Sequence, residues 1–159
     1  TRNPAERDVQ ISDRICEHGW FGQKTGRGFY LYPQGARIGT PDPKVLTIIE
    51  AERALKGITP RSFSYEEIME RYMAAMVNEA CEVLREAVAL KPSDIDVTFV
   101  QGYGFPRFRG GPMKYADGYG LGKMLDNIRA YETEDPVFWK PSPLLVDLVA
   151  AGHTFEDLN

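Results

Sequence analysis

The hydrophobic positions predict one long helix in the middle of the chain. Its first turn begins at Ser64, and Glu67 three residues later completes a capping box. Pro92 cannot continue a helix. At about 1.5 Å per residue, a helix over residues 65–90 would be roughly 39 Å long and could serve as a central strut. Its apolar positions recur at helical spacing. They are Ile68, Tyr72, Met76, Ala80, Val83, Leu84 and Ala87.

Shorter helices are predicted on both sides of this strut. Asp42 and Pro43 are a helix N-cap and first residue, and Gly57 ends that helix. Ser93 followed by Asp96 predicts a cap for the helix after the strut. The other expected helices cover about residues 4–17, a short stretch from Pro112, residues 122–132 and residues 144–151. Residues 29–32 alone alternate like a strand, so the predicted fold class is all-α.

Composition places the chain among ordinary globular domains. It has 159 residues, of which 43% are hydrophobic and 26% charged, with a net charge of −4. This charge favours neither a nucleic-acid partner nor a basic surface patch. No apolar run approaches the roughly 18 residues that would cross a bilayer. The chain begins at Thr1 without a secretion signal, so we expect an unsecreted piece of a longer protein.

The cysteines and histidines do not form a metal-binding pattern. Cys16 and Cys81 both fall in predicted helices and have no ligand spacing with His18 or His153. We predict no metal site. Free thiols, buried or half-buried in a reducing compartment, are favoured over a redox pair.

The segment WFGQKTGRGFYLYP, residues 20–33, combines glycines, aromatic residues and cations. Glycine amides beside Lys24 and Arg27 could cradle a phosphate. However, Lys24 and Thr25 precede Gly26, and no helix is predicted to follow, unlike in a P-loop. We favour a structural turn and keep anion binding as the alternative. The glycine- and proline-rich stretch at residues 33–43 is the candidate internal boundary.

A second glycine-rich loop, GYGFPRFRGG, covers residues 102–111. No strand precedes it, and Pro106 falls where the helix of a dinucleotide fingerprint would begin. Its aromatic residues and arginines could grip an aromatic or anionic ligand. We favour the alternative that the aromatic rings enter the core while Arg107 and Arg109 face water.

Glu79 lies on the apolar stripe or at its edge. A buried carboxylate requires a partner, which the 102–111 loop amides, Arg107 or Arg109 could provide. Glu79 could act as a general base or could hold the loop on the helix. His153 is the only histidine in this half of the chain, so we favour the structural role.

Two segments carry a family resemblance. NEACEVLREAVALKPSDIDVTFVQGYGFPRFRGGPMKYADGYG, residues 78–120, resembles the C-terminal domain of 3-hydroxyacyl-CoA dehydrogenases, in the duplicated form of multifunctional fatty-acid β-oxidation enzymes. Residues 19–33 resemble the closing segment of the first copy. The resemblance implies a helical domain of the 6-phosphogluconate dehydrogenase C-terminal type. It assigns residues 1–35 to the end of the first copy and residues 36–159 to the second.

The same resemblance implies that the chemistry lies elsewhere. In that family a Rossmann domain binds NAD and carries a histidine–glutamate pair, and the first helical copy adds an asparagine. Glu70, before Arg71, stands at the asparagine's position and cannot donate an amide hydrogen bond. We therefore predict no catalytic residue here. The residues expected to hold the loop are Glu79, Asp96, Gly102, Gly104, Pro106, Gly110 and Gly111. The weaker candidates for CoA or anion contact are Lys24, Arg27, Arg107 and Arg109.

The implied role is that of a fragment of a larger enzyme. The full protein would use NAD to oxidise 3-hydroxyacyl-CoA to 3-oxoacyl-CoA, with an upstream enoyl-CoA hydratase as a candidate fusion. The fragment would bind no cofactor and would pack on the Rossmann and first helical domains. Alone, we expect it to form a homodimer. The expected compartment is the bacterial cytoplasm or an organellar matrix. The alternatives are a stand-alone acyl-CoA-binding module and an oligomerisation module.

Overall fold

The computed structural model describes residues 10–34 and 36–159. These residues form two compact units, and the chain passes from one to the other between Ser62 and Phe63. The boundary after residue 35 that the sequence suggested lies inside the first unit. The assignment to two domain copies stays a prediction, because compactness alone does not report duplication.

The described part of the first unit contains two α-helices and a short β-hairpin. They are α1 (Ile11–Glu17), β1 (Tyr30–Leu31), β2 (Thr40–Pro41) and α2 (Pro43–Leu55), and the two strands are antiparallel. The strand predicted at residues 29–32 is present in shortened form. Its partner was not predicted, because a two-residue strand containing a proline gives no alternation to detect. The expected start of the first helix at residues 4–9 lies outside the described residues.

A buried carboxylate joins the two helices of this unit. Glu52 on α2 is only 4% exposed, and its carboxylate lies 2.9 Å from Lys56 Nζ and 3.4 Å from Arg14 Nε on α1. The hydrogen bond from Lys56 is the main reason that the pKa of Glu52 is lowered. The predicted cap of α2 is confirmed, since Asp42 Oδ1 accepts a 3.0 Å hydrogen bond from Lys44 N.

Among its described residues, the second unit contains five α-helices. They are α3 (Tyr65–Arg85), α4 (Pro92–Gly102), α5 (Pro112–Tyr119), α6 (Leu121–Glu132) and α7 (Pro143–Ala151). The all-α prediction is confirmed. Helix α3 is the central element, as predicted, and packs against α5, α6 and α7. Among the described residues, no helix is both long enough and apolar enough to cross a membrane.

The face of α3 that enters the core differs from the predicted stripe. Ile68 and Tyr72 are 51% and 57% exposed, so the prediction that they are core residues is wrong. The buried positions carry mostly small side chains, which allow the neighbouring helices to approach closely. They are Met73, Ala74, Val77, Asn78, Ala80 and Cys81. Of these six positions, the predicted stripe contained only Ala80.

Two predicted helix boundaries also change. Helix α3 ends at Arg85 rather than near Leu90, and Ala87 adopts a left-handed φ of 56°. The N-cap of α4 is Lys91, not Ser93, and Asp94 Oδ2 accepts a 3.2 Å hydrogen bond from the Lys91 amide. Asp96, expected to complete a cap with Ser93, is therefore available for another helix. The Ser64 half of the predicted capping box of α3 is present, since Ser64 Oγ accepts the amide of Glu67 at 3.1 Å, and the Glu67 carboxylate accepts from Arg71 Nε at 3.0 Å.

Asn78 connects α3 to the segment before α7. Its Nδ2 donates to the carbonyl oxygen of Lys140 at 2.8 Å, and its Oδ1 accepts from Ser142 N at 2.8 Å. Ser142 is 2% exposed, and its hydroxyl also contacts the carboxylate of Glu82. One buried amide thus satisfies two main-chain groups that would otherwise be unpaired. Sequence reasoning missed Asn78, although a polar residue among small apolar ones was the available signal.

Replacing Asn78 by alanine should destabilise the protein by about 2 kcal/mol, because the Lys140 carbonyl and the Ser142 amide would lose their partner. The neighbouring Glu79 is exposed, so Glu79→Ala is the matched control and should change the unfolding free energy by less than about 0.5 kcal/mol. Urea denaturation of both variants measures the difference. Equal losses would contradict the assignment of the two faces of α3.

The two free thiols should react at very different rates. Cys81 is fully buried, and this burial, with a smaller effect from the charge of Glu82, raises the pKa of its thiol to about 12. Cys16 is exposed, contrary to the buried or half-buried state that we expected. Because the thiolate is the reactive form, a disulfide reagent should modify one thiol quickly in the native protein and both after denaturation. Cys16→Ser should abolish the fast reaction, and a fast reaction that persists would contradict the burial of Cys81.

Candidate functional site

The loop between α4 and α5 is positioned by one carboxylate. Asp96 on α4 accepts hydrogen bonds from Met113 N at 2.7 Å and Lys114 N at 3.1 Å. These amides belong to the first turn of α5, where helices leave backbone N–H groups unpaired. Burial raises the pKa of Asp96, and the two amide bonds oppose this shift. Asp96 therefore fixes the start of α5 and the end of the loop.

Gly111 allows Asp96 to come this close. Its φ is +122°, and a Cβ built on it would lie 2.3 Å from Asp96 Oδ1. Gly104 and Gly110 also have positive φ values, of 73° and 81°. Gly102 is the last residue of α4, and Pro106 precedes a short 3₁₀ turn at Arg107–Arg109.

A dinucleotide phosphate does not fit at the start of α5. The amides of Met113 and Lys114 already bond to the carboxylate of Asp96, and a phosphate there would meet a negative charge. The residues present thus do not fit the NAD pyrophosphate of a Rossmann fingerprint, in which the helix N-terminus receives the phosphate. Among the described residues, no group of His, Cys, Asp and Glu side chains could hold a metal ion.

Glu79 does not hold the loop. It lies on the exposed side of α3, and the prediction that it lies on the apolar stripe or at its edge, with the loop as its partner, is wrong. Its position differs because the buried face of α3 is centred on Val77 and Cys81. Within the described part of the chain Glu79 has no hydrogen bond or ion pair, whereas Asp96 contacts the turn that follows the loop.

The aromatic residues of the loop do not all enter the core. Phe105 packs against the core, while Tyr103 and Phe108 are 76% and 85% exposed. The interpretation that all three rings are inserted is therefore wrong. Arg109 lies 5.4 Å from the Phe108 ring centre, and Arg107 Nη2 donates to Gln101 at 3.3 Å. The loop consequently presents rings and cations together at the surface.

Lys24 and Arg27 lie in the first unit. Arg27 Nε is 2.7 Å from Asp42 Oδ2, and the guanidinium lies over the Trp20 ring at 4.8 Å. Lys24 is exposed. The amides of the three glycines around them already bond to carbonyl oxygens, so they form a closed turn rather than a cradle for phosphate. Those bonds join Gly22 N to Arg27 O, Gly26 N to Gln23 O and Gly28 N to Tyr30 O.

An aromatic groove of about 590 Å³ lies beside the first half of α3. Its α3 wall carries Tyr65, Met69 and Tyr72 together with Glu66 and Glu70. The remaining walls come from the end of α4, the glycine loop and α5. Its volume is within the range of ligand and peptide sites.

A small polar network lies beside this groove, and its members Glu70 and Tyr119 line it. Tyr119 on α5 donates its hydroxyl hydrogen to Glu70 Oε1 at 3.0 Å and accepts from Asn127 Nδ2 at 3.1 Å. Lys123 Nζ lies 4.3 Å from the Tyr119 ring centre, and its contact with that phenol is the main reason that its pKa is raised. Glu70 is therefore a positioned acceptor, which supplies none of the donor chemistry of an asparagine. No pattern in the sequence predicted the contacts of Tyr119 and Asn127.

These elements define a helical domain with its own hydrophobic core. Asp96 caps the helix that follows the glycine loop, and this loop borders an open groove. Residues 68–156 match the sequence model of the 3-hydroxyacyl-CoA dehydrogenase C-terminal domain. The chain belongs to this family, as the resemblance indicated.

The relatives of this chain are much longer proteins. It is 43% identical over 154 residues to the peroxisomal bifunctional enzyme of Danio rerio, covering 95% of this chain and 21% of that protein. The human peroxisomal bifunctional enzyme is 42% identical over 151 residues, covering 92% and 21%. A peroxisomal fatty acid beta-oxidation multifunctional protein of Arabidopsis thaliana is 35% identical over 146 residues, covering 89% and 20%. The chain thus spans about a fifth of the length of these curated relatives.

Replacing Gly111 by alanine should cost about 2 to 4 kcal/mol of unfolding free energy, because the new Cβ would meet Asp96 and the backbone would be strained. Gly118 is the control, since it lies in α5 and a Cβ there meets no atom within 4 Å. Gly118→Ala should be neutral or stabilising by up to about 1 kcal/mol. Denaturant titration distinguishes the two. A Gly111→Ala protein as stable as Gly118→Ala would contradict the close approach of Asp96.

Proposed function

We propose that this chain is the C-terminal portion of an NAD-dependent 3-hydroxyacyl-CoA dehydrogenase of fatty-acid β-oxidation. The observation that carries the proposal is the family match over residues 68–156, combined with similarity over nearly the whole chain to one fifth of multifunctional β-oxidation enzymes. Its role is to supply a scaffold and a packing surface for the catalytic domains. NAD and the 3-hydroxyacyl-CoA substrate are bound by the rest of that enzyme.

The placement of the charged residues supports a scaffold over an acyl-CoA-binding module. Arg27 is paired with Asp42 and Arg107 with Gln101. The amides at the start of α5 are taken by Asp96. Arg27, Arg107 and the amides at the start of α5 are thus engaged within the protein, whereas Lys24 is exposed and Arg109 contacts aromatic rings.

The first unit supports the proposal that residues 1–35 close a preceding domain copy. An apolar cavity of about 820 Å³ opens on its surface. Phe21, Phe29 and Tyr30 line it and are 63%, 51% and 51% exposed. Large exposed apolar patches mark protein interfaces. We propose that the first helical domain of the same enzyme covers this cavity, and that the isolated chain forms a homodimer instead.

The names of the relatives support a proposal for the compartment in which the protein acts. Those of Danio rerio, Homo sapiens and Arabidopsis thaliana are described as peroxisomal. We propose an organellar matrix, or the cytoplasm where the enzyme is bacterial. An upstream enoyl-CoA hydratase remains part of the proposal for the full enzyme.

A complementation experiment tests the scaffold role. The Danio rerio enzyme shortened by the matching C-terminal region should show reduced dehydrogenase activity, and adding this chain should restore NADH formation from a 3-hydroxyacyl-CoA. The chain alone should form no NADH. The control is a chain carrying Phe21→Glu and Phe29→Glu, which should fail to restore activity because it places charges in the apolar contact.

Two outcomes would overturn the proposal. Turnover by the isolated chain would show that it carries its own catalytic set. Full activity of the shortened enzyme without this chain would show that the scaffold is not needed.

A further inference from the structure

Two carboxylates on α3 line the aromatic groove without a paired cation. Glu66 and Glu70 are four residues apart, so they lie on the same side of the helix. Glu66 is exposed, and Glu70 accepts the hydroxyl hydrogen of Tyr119 at 3.0 Å. Neither carboxylate forms an ion pair with another described residue. Like charges at this spacing destabilise a helix, so a cation between them would be bound favourably.

A neighbouring arginine on α3 shows how this protein holds a guanidinium. Arg71 donates to Glu67 at 3.0 Å and to Glu134 at 2.6 and 3.0 Å. The same guanidinium lies 4.1 Å from the centre of the Tyr131 ring. Two carboxylates and an aromatic ring thus satisfy both the donors and the planar face of one arginine. The groove contains the same components, namely two carboxylates and several rings.

The rings of the groove are accessible to a ligand. Tyr65, Tyr72 and Tyr103 line it and are 73%, 57% and 76% exposed. The α3 wall extends from Tyr65 to Met73, which corresponds to about 12 Å along a helix. A small-molecule site usually buries most of its ligand. An open groove of this length is better suited to an extended peptide, whose chain continues past both ends.

Arg109 is the one cation among the residues that line the groove. Its guanidinium lies 5.3 Å from the Tyr115 ring centre and 5.4 Å from that of Phe108. It therefore contacts rings rather than a carboxylate. Two carboxylates and one guanidinium leave the groove with a net negative charge, so a cation is the complementary ligand.

We propose that the aromatic groove binds an extended segment of a partner protein that presents an arginine. Glu66 and Glu70 hold the guanidinium, and the apolar side chains that flank the arginine pack on the groove's rings. Arginine is favoured over lysine, because its planar fork bonds to carboxylates while its face stacks on a ring. This inference goes beyond the proposed function, in which the scaffold contact uses the apolar cavity of the first unit.

Selection from a random heptapeptide library on the whole chain tests the proposal. Peptides retained by the wild type, but not by a chain carrying Glu66→Gln and Glu70→Gln, should contain an arginine flanked by apolar residues. Glutamine keeps an acceptor for Tyr119 while removing the charge, and circular dichroism checks that the variant is folded. If no peptide depends on the two carboxylates, or if those that do lack arginine, the inference is overturned.

Calorimetric titration with one selected peptide measures the contribution of the charges. The double variant should bind about 10-fold more weakly or worse, since hydrogen bonds to a charged group are lost. Replacing the peptide's arginine by citrulline, which is neutral and similar in shape, should cause a comparable loss. Glu79→Gln is the matched control, because Glu79 lies on the exposed side of α3 outside the groove, and it should leave Kd unchanged.

Two further variants separate the rings from the basic wall. Tyr72→Ala should weaken binding by about 3-fold, because one ring face is lost to the guanidinium or its neighbours. Arg109→Gln should not weaken binding, since it removes a like charge. A peptide whose binding requires Arg109 but neither glutamate would identify an anion site and would overturn the inference.

Discussion

The hydrogen bonds from Met113 and Lys114 to the carboxylate of Asp96 set the arrangement of the second unit. They place the start of α5 against α4 and close the glycine loop between them. Helix α5 in turn supplies Tyr119, whose hydroxyl bonds to Glu70 on α3. The first half of α3, α4 and α5 are thus connected through polar contacts around an otherwise apolar groove. A shift of Asp96 would therefore displace both α5 and the glycine loop, which form walls of the groove.

A second carboxylate, that of Asp117 on α5, likewise accepts hydrogen bonds from main-chain amides, here near residue 155. Asp117 accepts hydrogen bonds from Phe155 N at 2.8 Å and Glu156 N at 3.0 Å, and Phe155 is 1% exposed. Lys114 Nζ lies 2.9 Å from Glu156 on the same side. Short helices cannot satisfy their own terminal amides, so carboxylates from α4 and α5 do so. These carboxylate contacts explain why the short elements can pack into one ordered core around α3.

The sequence was most informative where structure follows from local rules. The α3 cap at Ser64, the α2 cap at Asp42 and the glycine-rich loop could all be read from neighbouring residues. The buried face of α3 could not, because it depends on which helices pack on it. The predicted stripe ran through Ile68, Tyr72 and Ala80, and it therefore missed Val77 and Cys81 on the buried face. Glu79 was misplaced on this stripe, and Asn78 was overlooked because its partners are main-chain atoms more than sixty residues away.

The difference between the predicted and the observed buried face of α3 has a physical cause. A helix with apolar residues on two faces gains free energy from burying both, but one small unit can cover only one of them. Here the face with small residues makes the core, and the face with Tyr65, Ile68 and Tyr72 remains at the surface. The first unit likewise leaves Phe21 and Phe29 exposed. Each unit therefore carries more apolar surface than its own fold requires.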